Sequence, residues 1–474
     1  MKKIRLIALF IGLALTATAS HAAPQKNILL LCIDDLRPEL KSFGADYIQS
    51  PNIDRLAATG RAFHHHYVNA PSCGPSRYTM LTGSYGPAGN QALFQRAQKL
   101  AKHPESVTPS MPEWFRKNGY TTVSVGKVSH HPGGRGGSDW NDDSKIEVPR
   151  AWDRHLMPCG EWQHPRGAMH GLSNGQTRVH GATPAFESAE GPDTIYPDGL
   201  IAREGIAQLT QLAAADKPFF LAIGLIKPHL PFGAPAAYMA PYKDVKLPPV
   251  PHPEKPAAPS TWHKSGEFFG QYNHHGMDPR TDADYADQVR RHYAACVTYA
   301  DHHVGQILAA LEKSGKARDT IIVLWGDHGW HLGEHNIWGK HSLFEESLRS
   351  PLIISAHGMN QPGAKSDAVV ESTDIFPTLC ELTDLPEPEF SSGTSLTPQL
   401  ANPATPGHTA IAYNGGARTI RTATHRLTLH NNGAVELYDH STTPGETANI
   451  ASQHPDIVAK LKQQLAKKLA RTTP

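Results

Sequence analysis

The chain has 474 residues, and 45 Lys and Arg side chains against 44 Asp and Glu side chains give it a formal net charge of +1. This balance argues against a nucleic-acid-binding surface, which needs a clustered basic excess. With 39% hydrophobic and 19% charged residues, the chain is too apolar for a disordered protein, and its length allows roughly two to three domains. The histidine count of 29 is unusually high and indicates that some of these side chains act in catalysis or ligand binding.

The first 23 residues have the pattern of a secretory signal. Lys2, Lys3 and Arg5 are basic, residues 4–17 are largely apolar, and small residues flank a cleavage point near residues 20–22. The apolar stretch is shorter than the about 20 residues of a membrane span, and no lipid-anchor cysteine directly follows it. The sequence therefore predicts a periplasmic or secreted protein without stable membrane insertion after cleavage.

Strands that alternate with helices are predicted along most of the chain. Residues 28–33 are continuously apolar, as is typical of a parallel strand covered on both faces. Ser110 and Glu113 have the spacing of a helix capping box. In chain order, the predicted elements are a strand over 28–33, a helix between Pro51 and Gly60, a helix from Ser110 to near Gly119, a strand over 121–125, a helix over 200–212, a strand over 219–226, a helix over 285–311, and strands over 320–325 and 351–355.

The periodicity changes after about residue 405. Short segments over 410–413, 419–422 and 426–429 have the spacing of hairpins, and a final helix is expected near 455–470. Residues 130–195 and 241–282 are rich in Gly and Pro and are predicted to be long loops. The predicted organisation is a signal over 1–23, an α/β domain over 24–400 and a small antiparallel-sheet subdomain with a helix over 401–474.

Five cysteines are widely spaced without a C-x-x-C pair, so a zinc knuckle or a redox pair is not indicated. Cys32 and Cys296 lie in apolar patterns and are expected to be buried. Whether Cys159 pairs with another cysteine is open. Cys73 differs from these because it stands in a turn-rich polar segment.

Acidic and basic side chains follow three of the predicted strands. Asp34-Asp35 follows the first strand, Lys127 follows the strand over 121–125, and Asp327-His328 follows the strand over 320–325. Ligands of open α/β sheets bind at the carboxyl ends of the strands, and carboxylates there favour Ca²⁺ or Mg²⁺. His328 matches such a hard cation less well and is equally consistent with a hydrogen-bonding role.

The sharpest motif is Cys73-Gly74-Pro75-Ser76-Arg77, followed by Leu81-Thr82-Gly83. Here the chain resembles the type I, formylglycine-dependent sulfatases of the alkaline phosphatase superfamily. In that family a maturation enzyme oxidises the cysteine of C-x-P-x-R to formylglycine, so the resemblance implies that Cys73 is the modified residue. It also implies an alkaline-phosphatase-like α/β/α sandwich with a large central sheet.

Further family motifs follow in order over about residues 25–470. The Asp-His pair at 327–328 is similar to the iduronate-2-sulfatase-like branch, in which the histidine is a metal ligand. The matching segments are Asp34-Asp35, Gly126-Lys127-Val128-Ser129-His130, Lys227-Pro228-His229-Leu230-Pro231-Phe232, Gly326-Asp327-His328-Gly329 with the residues up to His335, Trp338-Gly339-Lys340, and Leu437-Tyr438-Asp439.

The resemblance implies a role for each matched side chain. A divalent cation, Ca²⁺ or alternatively Mg²⁺, would be held by Asp34, Asp35, Cys73, Asp327 and His328. Arg77 and Lys127 would contact the aldehyde hydrate and the sulfate, His229 and Lys340 the leaving oxygen, and His130 would take a proton in the step that releases sulfate, a role for which the adjacent His131 is an alternative.

Three functions fit these motifs. The first is an exported sulfatase that acts on a sulfated carbohydrate, either a uronic-acid glycan or an algal polysaccharide. The second is a phosphonate monoester or phosphodiester hydrolase that uses the same formylglycine, and the third is an inactive sugar-binding protein. The sequence leaves open the sugar, the sulfate position and the oligomeric state, since the first two depend on the loops over 130–195 and 241–282.

Overall fold

The architecture is given by a computed structural model, which describes residues 26–132, 146–256, 266–442 and 444–470. The predicted signal over 1–23 lies outside the described residues. The strands are β1 (Asn27–Ile33), β2 (Arg61–Tyr67), β3 (Thr121–Gly126), β4 (Arg154–Leu156), β5 (Phe186–Glu187), β6 (Phe219–Leu225), β7 (Phe232–Gly233), β8 (Thr320–Gly326), β9 (His331–Leu332), β10 (Trp338–Gly339), β11 (Leu352–Ser355), β12 (Lys365–Glu371), β13 (Ala410–Asn414), β14 (Ala417–Arg421), β15 (His425–Leu429) and β16 (Val435–Asp439).

Helices flank these strands along the whole described chain. They are α1 (Pro51–Thr59), α2 (Cys73–Thr82), α3 (Ala92–Lys102), α4 (Met111–Lys117), α5 (Pro165–Met169), α6 (Pro197–Ala213), α7 (Ala236–Met239), α8 (Glu267–Gln271), α9 (Ala283–Lys313), α10 (Glu345–Leu348), α11 (Ile375–Leu382), α12 (Thr397–Ala401) and α13 (Pro455–Ala470).

A central sheet of eight strands in the order β12-β2-β11-β8-β1-β6-β3-β4 organises the molecule. β1 pairs in parallel with both β6 and β8, whereas β11 runs antiparallel to its neighbours β2 and β8. The sheet is therefore mixed. Because β8, β1, β6 and β3 are consecutive neighbours that run in one direction, their carboxyl ends lie side by side at one edge of the sheet.

Two apolar clusters cover the two faces of this sheet. Leu29, Leu31 and Ile33 of β1 belong to the cluster that includes α1, α6 and α9. The alternate residues Ile28 and Leu30 belong to the cluster that includes α2, α4 and α11. Because successive side chains of a strand point to opposite faces, the continuous apolar run of β1 has a partner on each side. The predicted α/β/α sandwich is confirmed.

Several boundaries differ from the predicted ones for local reasons. The helix predicted from residue 200 begins at Pro197, a residue whose fixed φ suits the first turn of a helix. The predicted capping box between Ser110 and Glu113 is present in α4. β4 lies within the predicted loop over 130–195, and with three residues it is too short to give a periodic signal.

The C-terminal unit is an antiparallel sheet in the order β13-β14-β15-β16, against which α13 packs. Leu461 and Leu465 of α13 contact Ile420 and Leu427 of the sheet. This confirms the small α+β unit, with β16 as a strand that the sequence did not predict. The domain boundary after residue 400 stays a prediction.

All five cysteines are free thiols, and Cys32 and Cys296 are fully buried as expected. Among the described residues, no helix is both long and apolar enough to cross a membrane.

We predict that an ion pair between His408 and Asp374 stabilises the fold in a pH-dependent way. Burial disfavours the charged imidazole, but the Asp374 carboxylate, 2.8 Å away, outweighs it and raises the pKa of His408 to about 9. The stabilisation is therefore complete below about pH 6.5 and is lost as the pH rises through 9. In urea unfolding at pH 6, His408→Gln should lower the free energy of unfolding by about 2 kcal/mol.

The deficit of His408→Gln should shrink at pH 9.5, where the wild-type imidazole is also neutral. His103→Gln, which replaces an exposed histidine, is the matched control. A deficit of equal size at both pH values would contradict the assignment of the charge to His408.

Candidate active site

The candidate site lies at the carboxyl ends of four neighbouring strands. Asp34 and Asp35 follow β1, Lys127 follows β3, His229 lies in the turn after β6, and Asp327 and His328 follow β8. All of these side chains are buried. The structure thus brings together residues that are far apart in sequence because the parallel strands place their ends at one edge.

Helix α2 brings Cys73 and Arg77 to the same edge. The sequence suggested a turn-rich segment here because of Gly74 and Pro75, but the structure begins a helix at Cys73. Proline is well tolerated in the first turn of a helix, where its missing N–H has no intrahelical partner. Gly74 is required because a Cβ would collide with the backbone of Asn90. Cys73 and Arg77 are four residues apart and therefore lie on one helix face.

Arg77 bridges the ends of β1 and β8. Its Nη2 donates to Asp34 Oδ1 at 2.9 Å, and its Nε donates to Asp327 Oδ2 at 3.0 Å. A third group, Nη1, donates to the backbone carbonyls of Lys127 and Val128. The guanidinium is fully buried, and the planar fork of arginine suits this simultaneous pairing with several oxygens.

The two bridged carboxylates differ in their protonation energetics. Burial opposes the ionisation of Asp34, but Lys127 and Arg77 outweigh it and hold its pKa well below the usual range. For Asp327, burial and the nearby charge of Asp34 raise the pKa. Two buried carboxylates that lie close together repel each other. A positive charge bound near Asp34 and Asp327 would therefore be stabilising.

Lys127 reaches Asp34 because β3 runs close against β6. The backbone of Lys127 crosses Gly224 of β6 so closely that a Cβ at residue 224 would overlap it. The Lys127 Nζ forms an ion pair with Asp34 and lies 3.9 Å from Cys73 Sγ. The ammonium therefore stands next to the residue that the motif marks as the nucleophile.

Around Cys73, Asp35, His328 and Lys340 form the other half of the cluster. Lys340 Nζ is 2.9 Å from Asp35 Oδ1 and 3.5 Å from Cys73 Sγ, and His328 Nε2 is 3.2 Å from the same sulfur. Burial raises the pKa of the Cys73 thiol well above its usual value and raises that of Asp35 to about 6. An unmodified Cys73 is thus held as a neutral thiol.

The structure shows different surroundings for His130 and His131, whereas the sequence left open which of the two has the proposed role. His130 is half-buried, and desolvation together with Lys127 lowers its pKa well below the usual range. Its Nδ1 has no hydrogen-bond partner among the described residues. His131 is also half-buried, but Glu147 accepts hydrogen bonds from its backbone N–H and its Nδ1. His130 is therefore the histidine whose ring is not already committed to a neighbouring carboxylate.

Glu267 is a site residue that the sequence did not indicate. It comes from α8, in the segment over 241–282 that was predicted to be irregular. Its Oε1 lies 3.5 Å from His229 Nε2, and its Oε2 lies 3.2 Å from Lys340 Nζ. Because this segment has no periodicity and matches no motif, nothing in the sequence marked this glutamate.

A cavity of about 830 Å³ opens above the cluster. Besides the predicted residues, its walls include charged and polar side chains from the two predicted loop segments and from two other parts of the chain, which are Asn90, Gln91, His164, Arg166, His170, Arg178, Gln271 and His341. These residues lie in segments without motifs, so sequence reasoning missed them. Their polarity is typical of a site for a hydrophilic ligand rather than for an apolar one.

The donor set fits a divalent metal ion. Ligand atoms of Asp34, Cys73, Asp327 and His328 all lie within 4.8 Å of one another, and a second overlapping group includes Asp35. Three buried carboxylates supply the oxygen ligands that Ca²⁺ and Mg²⁺ prefer, and their mutual repulsion would be relieved by a cation.

Comparison with known protein families places the chain in the alkaline phosphatase superfamily. Residues 26–385 match the sulfatase family, and residues 333–472 match the family described as N-sulphoglucosamine sulphohydrolase, C-terminal. The chain is 32% identical over 410 residues to iduronate 2-sulfatase from Mus musculus, across 80% of this chain and 72% of that protein. The chain belongs to the sulfatase family and is a sulfuric ester hydrolase, which confirms the predicted resemblance.

Solved structures share the fold at lower sequence identity. A phosphonate monoester hydrolase from Silicibacter pomeroyi superposes with a TM-score of 0.74 and 23% identity, over 95% of this chain and 96% of that one. A structure described as a complex with its substrate D-glucosamine-2-N,6-O-disulfate gives a TM-score of 0.72 and 20% identity, over 94% of this chain and 98% of that one.

We predict that the Arg77 bridge is needed for stability as well as for chemistry. In Arg77→Met, Asp34 and Asp327 lose their shared partner while remaining buried, and the free energy of unfolding should fall by about 3–5 kcal/mol. Urea unfolding at neutral pH measures this change. Arg166→Met is the matched control because Arg166 lines the same cavity but is exposed. Equal stability of the wild type and Arg77→Met would show that the bridge contributes nothing.

Proposed function

We propose that this sulfatase hydrolyses sulfate esters of a carbohydrate. The observation that carries the proposal is the convergence of Arg77, Lys127 and Lys340 with three buried carboxylates around Cys73, beneath a polar cavity of about 830 Å³. Two relatives support the substrate class, since one is named an iduronate 2-sulfatase and another is bound to a glucosamine disulfate. The particular substrate proposed is a sulfated uronic-acid glycan or algal polysaccharide.

The nucleophile in this proposal is formylglycine made from Cys73 by a maturation enzyme. When hydrated, the aldehyde supplies one hydroxyl that attacks sulfur and a second from which a proton is removed to release the sulfate. The surroundings of residue 73 suit an oxygen nucleophile, because Lys127 and Lys340 place positive charge within 3.9 Å and 3.5 Å of its side chain.

The residues proposed to hold a Ca²⁺ ion are Asp34, Asp35, Asp327, His328 and the modified residue 73, and Mg²⁺ is the alternative. Such an ion supplies a fixed positive charge that stabilises negative charge on the reacting oxygens. Without it, three carboxylates balance the three cations Arg77, Lys127 and Lys340, so the cluster has no excess charge to bind an anion.

Other residues of the chain bind and move protons. Arg77 and Lys127 contact the aldehyde hydrate and the sulfate oxygens. Lys340 contacts the leaving alcohol oxygen, and His229 donates a proton to it. The Nδ1 of His229 is 2.6 Å from the carbonyl oxygen of Leu230, so Nδ1 carries a proton and Nε2 faces the cavity. His130, whose low pKa favours the neutral ring, accepts the proton that accompanies sulfate release.

We also propose that the segment over 1–23 directs export to the periplasm or beyond the cell, where sulfated polysaccharides are encountered. The maturation enzyme would then be a partner that meets the chain before its fold closes, because Cys73 is only 2% exposed in the folded protein.

We predict that the protein releases sulfate from sugar sulfates and that this activity depends on residue 73. Purified protein from a host with the maturation enzyme should release sulfate from L-iduronate 2-sulfate, D-glucosamine 6-sulfate or 4-nitrophenyl sulfate. Cys73→Ser should allow at most one turnover, because a serine sulfate has no second hydroxyl from which to eliminate the sulfate. Mass spectrometry of the peptide with Cys73 should show conversion of the thiol to the aldehyde.

Phenyl methylphosphonate serves as the competing substrate in the same assay. Hydrolysis of the phosphonate without any sulfate release would favour the phosphonate hydrolase alternative, whose fold this chain shares. Full multiple-turnover activity of protein with an intact Cys73 thiol would refute the formylglycine.

We predict that Ca²⁺ raises the thermal stability of the protein through the carboxylate cluster. A ligand that binds only the folded state at about 100 times its Kd stabilises it by about 2.7 kcal/mol. The melting temperature of EDTA-treated wild type should therefore rise on addition of Ca²⁺, and that of Asp35→Asn should rise much less. Asp216→Asn, at an exposed position, is the control. An equal rise in all three proteins would place the ion elsewhere.

A further inference from the structure

The Glu267 carboxylate is a negative charge in the cavity that is proposed to bind the sulfate, and such a charge is unfavourable there unless it has a function. Its side chain is only 16% exposed, and it lies between His229 and Lys340. A buried carboxylate near the sulfate would oppose substrate binding by charge repulsion. Its two contacts, however, are both with the residues assigned to the leaving oxygen, and neither is with Arg77 or Lys127.

The hydrogen bonding of His229 shows why a neighbouring carboxylate matters. The carbonyl of Leu230 can only accept a hydrogen bond, so the 2.6 Å contact fixes a proton on Nδ1. A neutral His229 then has a lone pair on Nε2 and has no proton to give there. The ring can act as an acid from Nε2 only in its doubly protonated, positively charged form.

Burial and the nearby cations disfavour that positive charge and hold the pKa of His229 well below its usual range, so any carboxylate at Nε2 matters. The ring is buried, and Lys127 and Lys340 are both nearby cations. Asp34 and Asp35 also lie near the ring, but Asp34 is already paired with Arg77 and Lys127, and Asp35 with Lys340. Glu267 is therefore the carboxylate that directly faces Nε2, the atom that has to carry the proton.

We propose that Glu267 is a positioning residue for departure of the leaving group. Its carboxylate holds Lys340 and His229 on the leaving-oxygen side of the cavity and stabilises the positive charge of His229. The S–O bond to the alcohol breaks with its electron pair going to oxygen, and this oxygen takes the Nε2 proton. His229 is left neutral with its proton on Nδ1 and regains the other from water. The inference rests on the proposed sulfatase function.

The test compares leaving groups that need a proton with one that does not. Glu267→Gln keeps the size of the side chain but removes its charge. On the faster of L-iduronate 2-sulfate and D-glucosamine 6-sulfate, whose alcohols are poor leaving groups, kcat should fall about 100-fold, the typical size of a general-acid contribution. On 4-nitrophenyl sulfate, whose phenolate leaves without a proton, kcat should change less than about 3-fold.

Two further variants separate this role from a structural one. Glu267→Asp keeps the charge and should recover part of the lost activity on the sugar sulfate, while leaving 4-nitrophenyl sulfate turnover unchanged. Glu254→Gln, an exposed glutamate upstream in the same loop segment, should match the wild type on both substrates.

The other outcomes would contradict either the inference or the proposed function. An equal loss on both substrates in Glu267→Gln, without partial rescue in Glu267→Asp, would make Glu267 a structural residue and overturn the inference. Unchanged activity on both substrates would overturn it as well. A wild-type protein that hydrolyses neither sulfate would instead overturn the proposed function, and with it the basis of the inference.

Discussion

The structure depends on one electrostatic constraint, the neutralisation of two carboxylates that end adjacent parallel strands. Strands pair at about 4.8 Å, so the buried side chains that follow β1 and β8 are forced close together. Arg77 satisfies Asp34 and Asp327 at once. This requirement fixes where α2 lies, and because Cys73 is one helical turn away on the same face, it also fixes the position of the proposed nucleophile.

Although the chain is nearly neutral overall, several charged side chains are concentrated in the buried cluster. Three cations and three carboxylates share the buried cluster, and Glu267 adds one further negative charge beside Lys340. With a divalent cation and a neutral His229, the sum would be a single positive charge, which matches the single negative charge of a sulfate monoester. In the proposed function, the cluster would recognise the sulfate through charge balance in a medium that screens poorly, while the cavity above it would contribute polar contacts to the sugar.

The central strands and their reactive ends could be predicted from the sequence because a buried parallel strand is a continuous apolar run and its last residues are polar. The residue types of the site followed from the resemblance to sulfatases. Two kinds of feature could not be predicted. The first turn of α2 contains Gly74 and Pro75, residues that are unfavourable in the interior of a helix, and the position of α2 is set by Arg77 and by contact with Asn90. Glu267 and His170 lie in aperiodic segments, so only tertiary packing brings them to the cavity.

The long sequence separations within the Arg77 bridge have a consequence for how the protein is made. Arg77 is 43 residues from Asp34 and 250 residues from Asp327, so the bridge cannot close until β8 has joined β1. Contacts of such separation form late, because the entropy of closing a long loop has to be overcome first. Until then the three charges stay in water and the Cys73 thiol stays accessible. Completion of the active site therefore requires that β8 has already joined β1, so a catalytically competent chain has assembled the centre of its sheet.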